Sequence, residues 1–112
     1  KAMLAYKSLE ELKEIYKSYS LHKHTVNTIT SLDKLHIELR KVRSFGYSVN
    51  EAETFDYVYG VGAAILNSQN RAVAAISLSG TKGSINLKTI PNLAKKVIEA
   101  SRSISLKLLE AR

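Results

Sequence analysis

The sequence predicts an α+β fold, with three helices and an antiparallel hairpin in a single domain of 112 residues. Two observations carry that expectation. Residues 58–66 and 71–80 are apolar runs on either side of Asn67-Ser68-Gln69-Asn70, a loop of turn formers. Residues 32–42 and 93–108 instead repeat apolar side chains every three or four positions, the period of one helix face.

From the start of the chain, residues 2–6 are apolar and helix-compatible. Ser8-Leu9-Glu10-Glu11 matches a capping box, in which Ser caps the first turn and Glu reaches back. A helix is therefore expected over about 9–18, with Leu9, Leu12, Ile15 and Tyr16 on one face. Leu21 to Thr30 has no clear period. Thr30-x-x-Asp33 reads as a second cap. Leu32, Leu35, Leu39 and Val42 follow it, so a helix over about 31–44 buries that stripe, with His36 off it and solvated, and Gly46 ends it. Tyr47 to Val49 suit a short strand, and Asn50-Glu51-Ala52-Glu53 a polar connection into Phe55–Tyr57.

In the hairpin, a loop of residues 67–70 places Leu66 opposite Arg71 and Gly60 opposite Ser77. Opposed residues share a face, and faces alternate along each strand. One face then carries Tyr59, Val61, Ala63 and Ile65 with Leu78, Ile76, Ala74 and Ala72, a large apolar surface suited to a core. The other carries Val58, Gly60, Gly62 and Ala64 with Ser79, Ser77, Ala75 and Val73. Small residues there leave two readings open. The face is a depression floored by backbone and serine hydroxyls that suits a small polar ligand, or it lets a helix pack closely with the serines at a wet edge. Beyond it, Gly80-Thr81-Lys82-Gly83 is a turn and Ser84–Leu87 a short strand or extended segment. Thr89 and Pro91 read as cap and first turn of a last helix. Leu93, Val97, Ala100, Ile104 and Leu108 continue its stripe to about residue 109.

Composition narrows the function. The formal charge of +7 attracts nucleic acid, membrane surfaces and acidic partners, but the charges are dispersed. The densest cluster, Arg40-Lys41-x-Arg43, sits late in a helix, where cations favour the macrodipole; phosphate binding is the competing reading. No apolar run approaches the ~20 residues of a membrane span, so no membrane partner is expected. The absence of Cys excludes disulfide and thiol chemistry and is compatible with a reducing, cytoplasmic location.

No catalytic set is visible. His22 and His24 share a face only in a strand and have no Cys or acidic co-ligand, so they read as surface histidines. Glu51 and Glu53 lack the partner nucleophile or metal ligand that acid–base work requires. Gly60-x-Gly62 lies inside a strand, where a dinucleotide fingerprint does not. Ser77 has no His–carboxylate constellation in sequence. No enzyme, cofactor or metal is expected.

The order of pieces resembles the effector-binding domain of IclR-type transcription regulators. Lys1-Ala2-Met3-Leu4-Ala5 is similar to the end of that family's G-K-A-L-L-A helix, and Ser8-Leu9-Glu10-Glu11-Leu12 to its next helix start. Thr28-Ile29-Thr30-x-x-x-x-Leu35 followed by Glu38-Leu39-x-x-Val42-Arg43-x-x-Gly46-Tyr47-Ser48-Val49 resembles its signature helix and strand. Val61–Leu66 and Val73–Gly80 resemble its central hairpin. The resemblance implies a GAF- or profilin-like α+β domain, a curved antiparallel sheet flanked by helices, with residues 1–112 forming the C-terminal part of an effector-binding domain. It implies a homodimer or tetramer, a small-molecule effector such as an organic or aromatic acid, and operator DNA bound only through a winged helix-turn-helix missing from this chain. The family's first effector-domain strands are also missing upstream of Lys1, so the chain reads as the C-terminal part of a longer regulator.

Carried over from the family's pocket, the ligand-binding positions are Asn50, Val58, Gly60, Ser77 and Ser79. Four of these lie on the small face derived above. Asn50 stands where the family usually has an acidic residue, which removes a charge but keeps a donor and an acceptor. The leading expectation is a regulatory sensor domain; the alternative is a stand-alone small-ligand-binding or dimerisation module without DNA-binding activity.

Overall fold

A computed structural model describes residues 1–110. A 3-10 turn over Leu4–Tyr6 leads into α1 (Leu9–Ile15), and α2 (Leu32–Phe45) follows a long loop. The strands β1 (Ser48–Glu51), β2 (Tyr59–Leu66) and β3 (Ala72–Gly80) form one antiparallel sheet in the order β1-β2-β3, and α3 (Ile90–Glu110) closes the described chain.

The capping box forms in both directions. Glu11 N–H donates to Ser8 Oγ at 3.1 Å and Ser8 N–H to Glu11 Oε1 at 3.2 Å. α1 stops at Ile15, three residues short of the expected end; Lys17-Ser18-Tyr19-Ser20 offers no apolar residue to extend the buried stripe, and Tyr19 is exposed. α2 is capped by Ser31, not Thr30, because Ser31 holds the extended backbone of a cap and its Oγ accepts from Lys34 N–H. It ends at Gly46, whose φ of 85° is a conformation that glycine adopts without a Cβ clash. Leu12, Leu35, Leu39 and Val42 bury together with Ala5 as a helical core.

The loop from Leu21 to Thr30 has no helix or strand, yet it is anchored. Thr25 Oγ1 donates to Ala52 O at 2.6 Å, Asn27 Nδ2 to Glu51 O at 2.9 Å, and Thr28 Oγ1 to Glu53 O. These side chains satisfy carbonyls at and just past the end of β1, a long-range role that periodicity does not reveal.

The hairpin keeps the expected faces and changes the pairing. Gly60 opposes Ser79 and Gly62 opposes Ser77, a shift of two residues from the expected register. The loop is one residue longer, because Asn67 organises it. Its Oδ1 accepts from Gln69 N–H and Arg71 N–H, its own N–H donates to Arg71 O, and Asn70 takes a left-handed φ of 58°. Ile65 opposes Ala74 and Leu66 opposes Ala72, which leaves Val73 as an extra residue at a bulge. The loop moves the register by one and the bulge by one more, so side chains from Ala74 onward keep their predicted face. Ala72 does not; it leaves the core face.

The second core lies between sheet and α3, with Val61 and Ala63 of β2 against Ala94 and Val97. The buried stripe of α3 is Ala94, Val97 and Ser101, rotated from the expected one; Ile104 and Leu108 are exposed. Small residues at 94 and 101 suit close approach to the sheet, and Ser105 Oγ accepts from Leu66 N–H at 3.0 Å where the sheet ends. Ser84–Leu87 is not a strand. Asn86 wraps the segment into turns, donating through Nδ2 to Lys82 O and Gly83 O and accepting through Oδ1 from Lys88 N–H and Thr89 N–H.

Candidate functional site

The face of the sheet opposite α3 carries two polar rows, each centred on a glycine. β1, β2 and β3 align Asn50, Gly60 and Ser79 in one row and Ser48, Gly62 and Ser77 in the next. With no Cβ on β2, the middle strand forms a floor of bare backbone between polar walls. The resulting trough is about 310 Å³, the low end of the size range of small-molecule sites. Residues 1–3 close one side of it; Ala2 is buried there.

The glycines are needed for more than space. A Cβ at Gly60 would stand 3.3 Å from Leu78 O, and one at Gly62 would stand 3.2 Å from Ser48 Oγ. The sheet is thus tight at its floor, and a side chain at 60 would press on the backbone of β3 as well as project into the trough.

Of the residues expected from sequence, the structure brings together Asn50, Gly60, Ser77 and Ser79. Val58 is not among them. It precedes β2, where its N–H donates to Phe55 O and its carbonyl accepts from Ala52 N–H, and it does not line the trough. Ser48 was missed, although it stands two residues before Asn50 and so shares its face. Lys1, Ala2 and Met3 were also missed, and nothing local in the sequence places them against the sheet.

The trough is polar without being highly charged. Lys1 Nζ donates to Val49 O and pairs with Glu53 Oε2 at 2.7 Å, so the Lys1 side-chain ammonium on its wall is already compensated. Glu53 Oε2 also accepts from Glu51 N–H, and Asn50 Oδ1 accepts from Glu53 N–H at 3.0 Å. Those bonds brace the turn and leave the Asn50 amide nitrogen as a donor. Ser77 and Ser79 are exposed on the edge strand, with both hydroxyls able to donate and accept. The arrangement can hold a small ligand through hydroxyl and amide contacts; it has no nucleophile–base pair, and no cluster of metal-ligating side chains exists among the described residues.

A family model, "Bacterial transcriptional regulator IclR C-terminal", matches residues 1–106. The chain belongs to the IclR C-terminal family. Its relatives include RhmR of Escherichia coli, named an uncharacterized HTH-type transcriptional regulator, 34% identical over 94% of this chain and 40% of the relative. The crystal structure of the Thermotoga maritima IclR superposes with a TM-score of 0.89 at 34% identity, over 96% of this chain and 43% of that one. The PobR inducer-binding domain from Acinetobacter, a double mutant solved with 3-hydroxybenzoic acid, shares the fold with a TM-score of 0.78 at 20% identity, over 89% of this chain and 57% of that one. This IclR-family chain spans about 40% of the length of such curated relatives. They are named as transcription regulators.

Proposed function

We propose that this chain is the effector-sensing domain of a transcription regulator, and that the trough holds the effector. The observation that carries the reading is the pair of rows, Asn50–Gly60–Ser79 and Ser48–Gly62–Ser77, which place hydroxyls and an amide around a bare floor. The effector class is a small organic or aromatic acid or its hydroxylated relatives, recognised by neutral donors rather than by an unpaired cation. In the whole regulator, binding biases the arrangement of DNA-binding domains lying outside this chain, by as much as the effector prefers one arrangement over the other. Self-association fits the exposed apolar side chains at the end of α3, Leu106 and Leu109, and Phe45 beside them; the proposed assembly is a homodimer or tetramer.

The test is a panel of small acids and neutral analogues, including 3-hydroxybenzoate, screened by thermal shift and mapped by amide chemical shifts. A binder is expected to perturb residues 48–50, 60–62 and 77–79. A binder that perturbs another surface and leaves these untouched contradicts the trough. Sequence-selective operator binding by residues 1–112 alone contradicts the assignment of DNA reading to another domain.

A further inference from the structure

A second depression, of about 450 Å³, lies between α2 and the segment before and into α1, and it shares no lining residue with the trough. His36, Arg40, Arg43 and Ser44 of α2 line one side, at the spacing of a single helix face. Lys7 lines the other side from just before α1, and Leu9 adds apolar wall. His36, expected to be solvated, is half-buried here. Lys41, part of the same basic run in sequence, does not line the groove, so the fold sorts Arg40 and Arg43 into it and leaves Lys41 out.

The charge in this groove is one-sided. No carboxylate lines it among the described residues. Glu38 of α2 lines a different depression, beside Lys1 and Glu53. Glu11, the acidic neighbour on α1, is shared between Lys7 at 3.8 Å and Arg71 at 3.3 Å. Arg40 has no hydrogen bond or ion pair among the described residues. Arg43 holds its guanidinium carbon over the Tyr6 ring, 4.9 Å from the centroid. A cation–π contact engages no N–H donor in a hydrogen bond, and Arg43 makes no hydrogen bond or ion pair among the described residues, so its donors remain for an oxyanion.

We propose that this groove is a second ligand site, one that takes a small oxyanion, carboxylate or phosphate, on Arg40 and Arg43, with any short apolar body against Leu9. The macrodipole alone accounts for cations late in α2; it does not account for two arginines lining the same cavity, neither paired with a carboxylate among the described residues.

The test follows 1H–15N amide shifts of the chain during titration with inorganic phosphate and, separately, butyrate, at constant ionic strength set with sodium chloride. Saturable shifts are expected at residues 5–12 and 36–44, and whichever anion saturates at lower concentration identifies the head group. Arg40→Gln with Arg43→Gln should weaken binding roughly tenfold or more, since each removes charge-assisted hydrogen bonds. Arg43→Lys, which keeps the charge and loses the fork, should also weaken it. Unchanged amide shifts in the trough verify that the variants fold; should the double variant unfold, Arg40→Gln alone, at an exposed and unpaired side chain, takes its place. Linear shifts with both anions, no larger than those chloride produces, overturn the proposal, as does a folded variant that binds as well as the parent chain.

Discussion

β2 presents two faces made by the same eight residues, and they do opposite work. Tyr59, Val61, Ala63 and Ile65 point to α3, where Val61 and Ala63 are fully enclosed. Gly60 and Gly62 point to the trough, and the polar residues beside them come from β1 and β3. Burial per residue is similar on the two sides of β2, but its cause differs. One face is buried by side-chain packing; the other is buried because flanking strands and residues 1–3 crowd a backbone without side chains. Stability and the proposed ligand binding are thereby separated by the two-residue period of one strand.

The largest expected effect falls on the packed face. Ile65→Ala, at a buried position opposite Ala74, should cost ~2–5 kcal/mol of unfolding free energy in a denaturant titration. Ile76, opposite Ala63 on the edge strand, is only half-buried, so Ile76→Ala should cost roughly half as much by the same transfer and cavity terms. Equal losses at the two positions would show that β3 is covered as fully as β2.

Next is the floor. Gly60→Leu should cost about 1–3 kcal/mol, as overpacking does, because its Cβ meets Leu78 O at 3.3 Å. Ligand binding should vanish with it. Free accommodation of Leu at 60 would mean that the rows are wider apart than their pairing implies.

A control away from both faces is Glu11. The Ser8 N–H, and after it Arg71 and Lys7, hold this carboxyl below the usual carboxylate range. A depressed folded-state value means that its stabilisation is present above the unfolded value of 4.5 and is lost as pH falls through the folded one. Glu11→Gln should therefore remove a small acid-side loss of stability, read as a flatter thermal midpoint below about pH 4.5, without touching affinity for the trough ligand at neutral pH.

Much of this comparison was legible from sequence, for a specific reason. An error of two residues in hairpin register preserves every face from Ala74 to Gly80, so the small face was identified although its partners were misassigned. The extra loop residue and the Val73 bulge were hidden because both depend on how the Asn67 side chain folds over its own loop. The stripe of α3 was misjudged because large apolar residues suggest a core, whereas the sheet accepts Ala94 and Ser101. Ser48 was accessible from the pleat of β1 alone. Lys1–Met3, like the anchoring of Thr25 and Asn27, depends on contacts between distant parts of the chain that no local pattern records. Strand alternation and the family resemblance both supplied Val58, and the local turn from Phe55 to Val58 removes it from the strand.

The smallest stability effect belongs to the serines, and it tests the separation of faces most directly. Ser77 and Ser79 are exposed, and among the described residues their hydroxyls make no hydrogen bond that a methyl group would break. The double variant Ser77→Ala/Ser79→Ala should unfold within about 0.5 kcal/mol of the parent chain. In a paired calorimetric titration with the acid selected from the panel, its affinity should fall by ~1–3 kcal/mol, the sum of two neutral hydrogen bonds, or by more if the serines hold an anionic group. An unchanged midpoint with affinity lost is the predicted result. Affinity retained in a fully folded double variant would contradict the account, because the ligand would then be held by something other than the polar rows across the sheet.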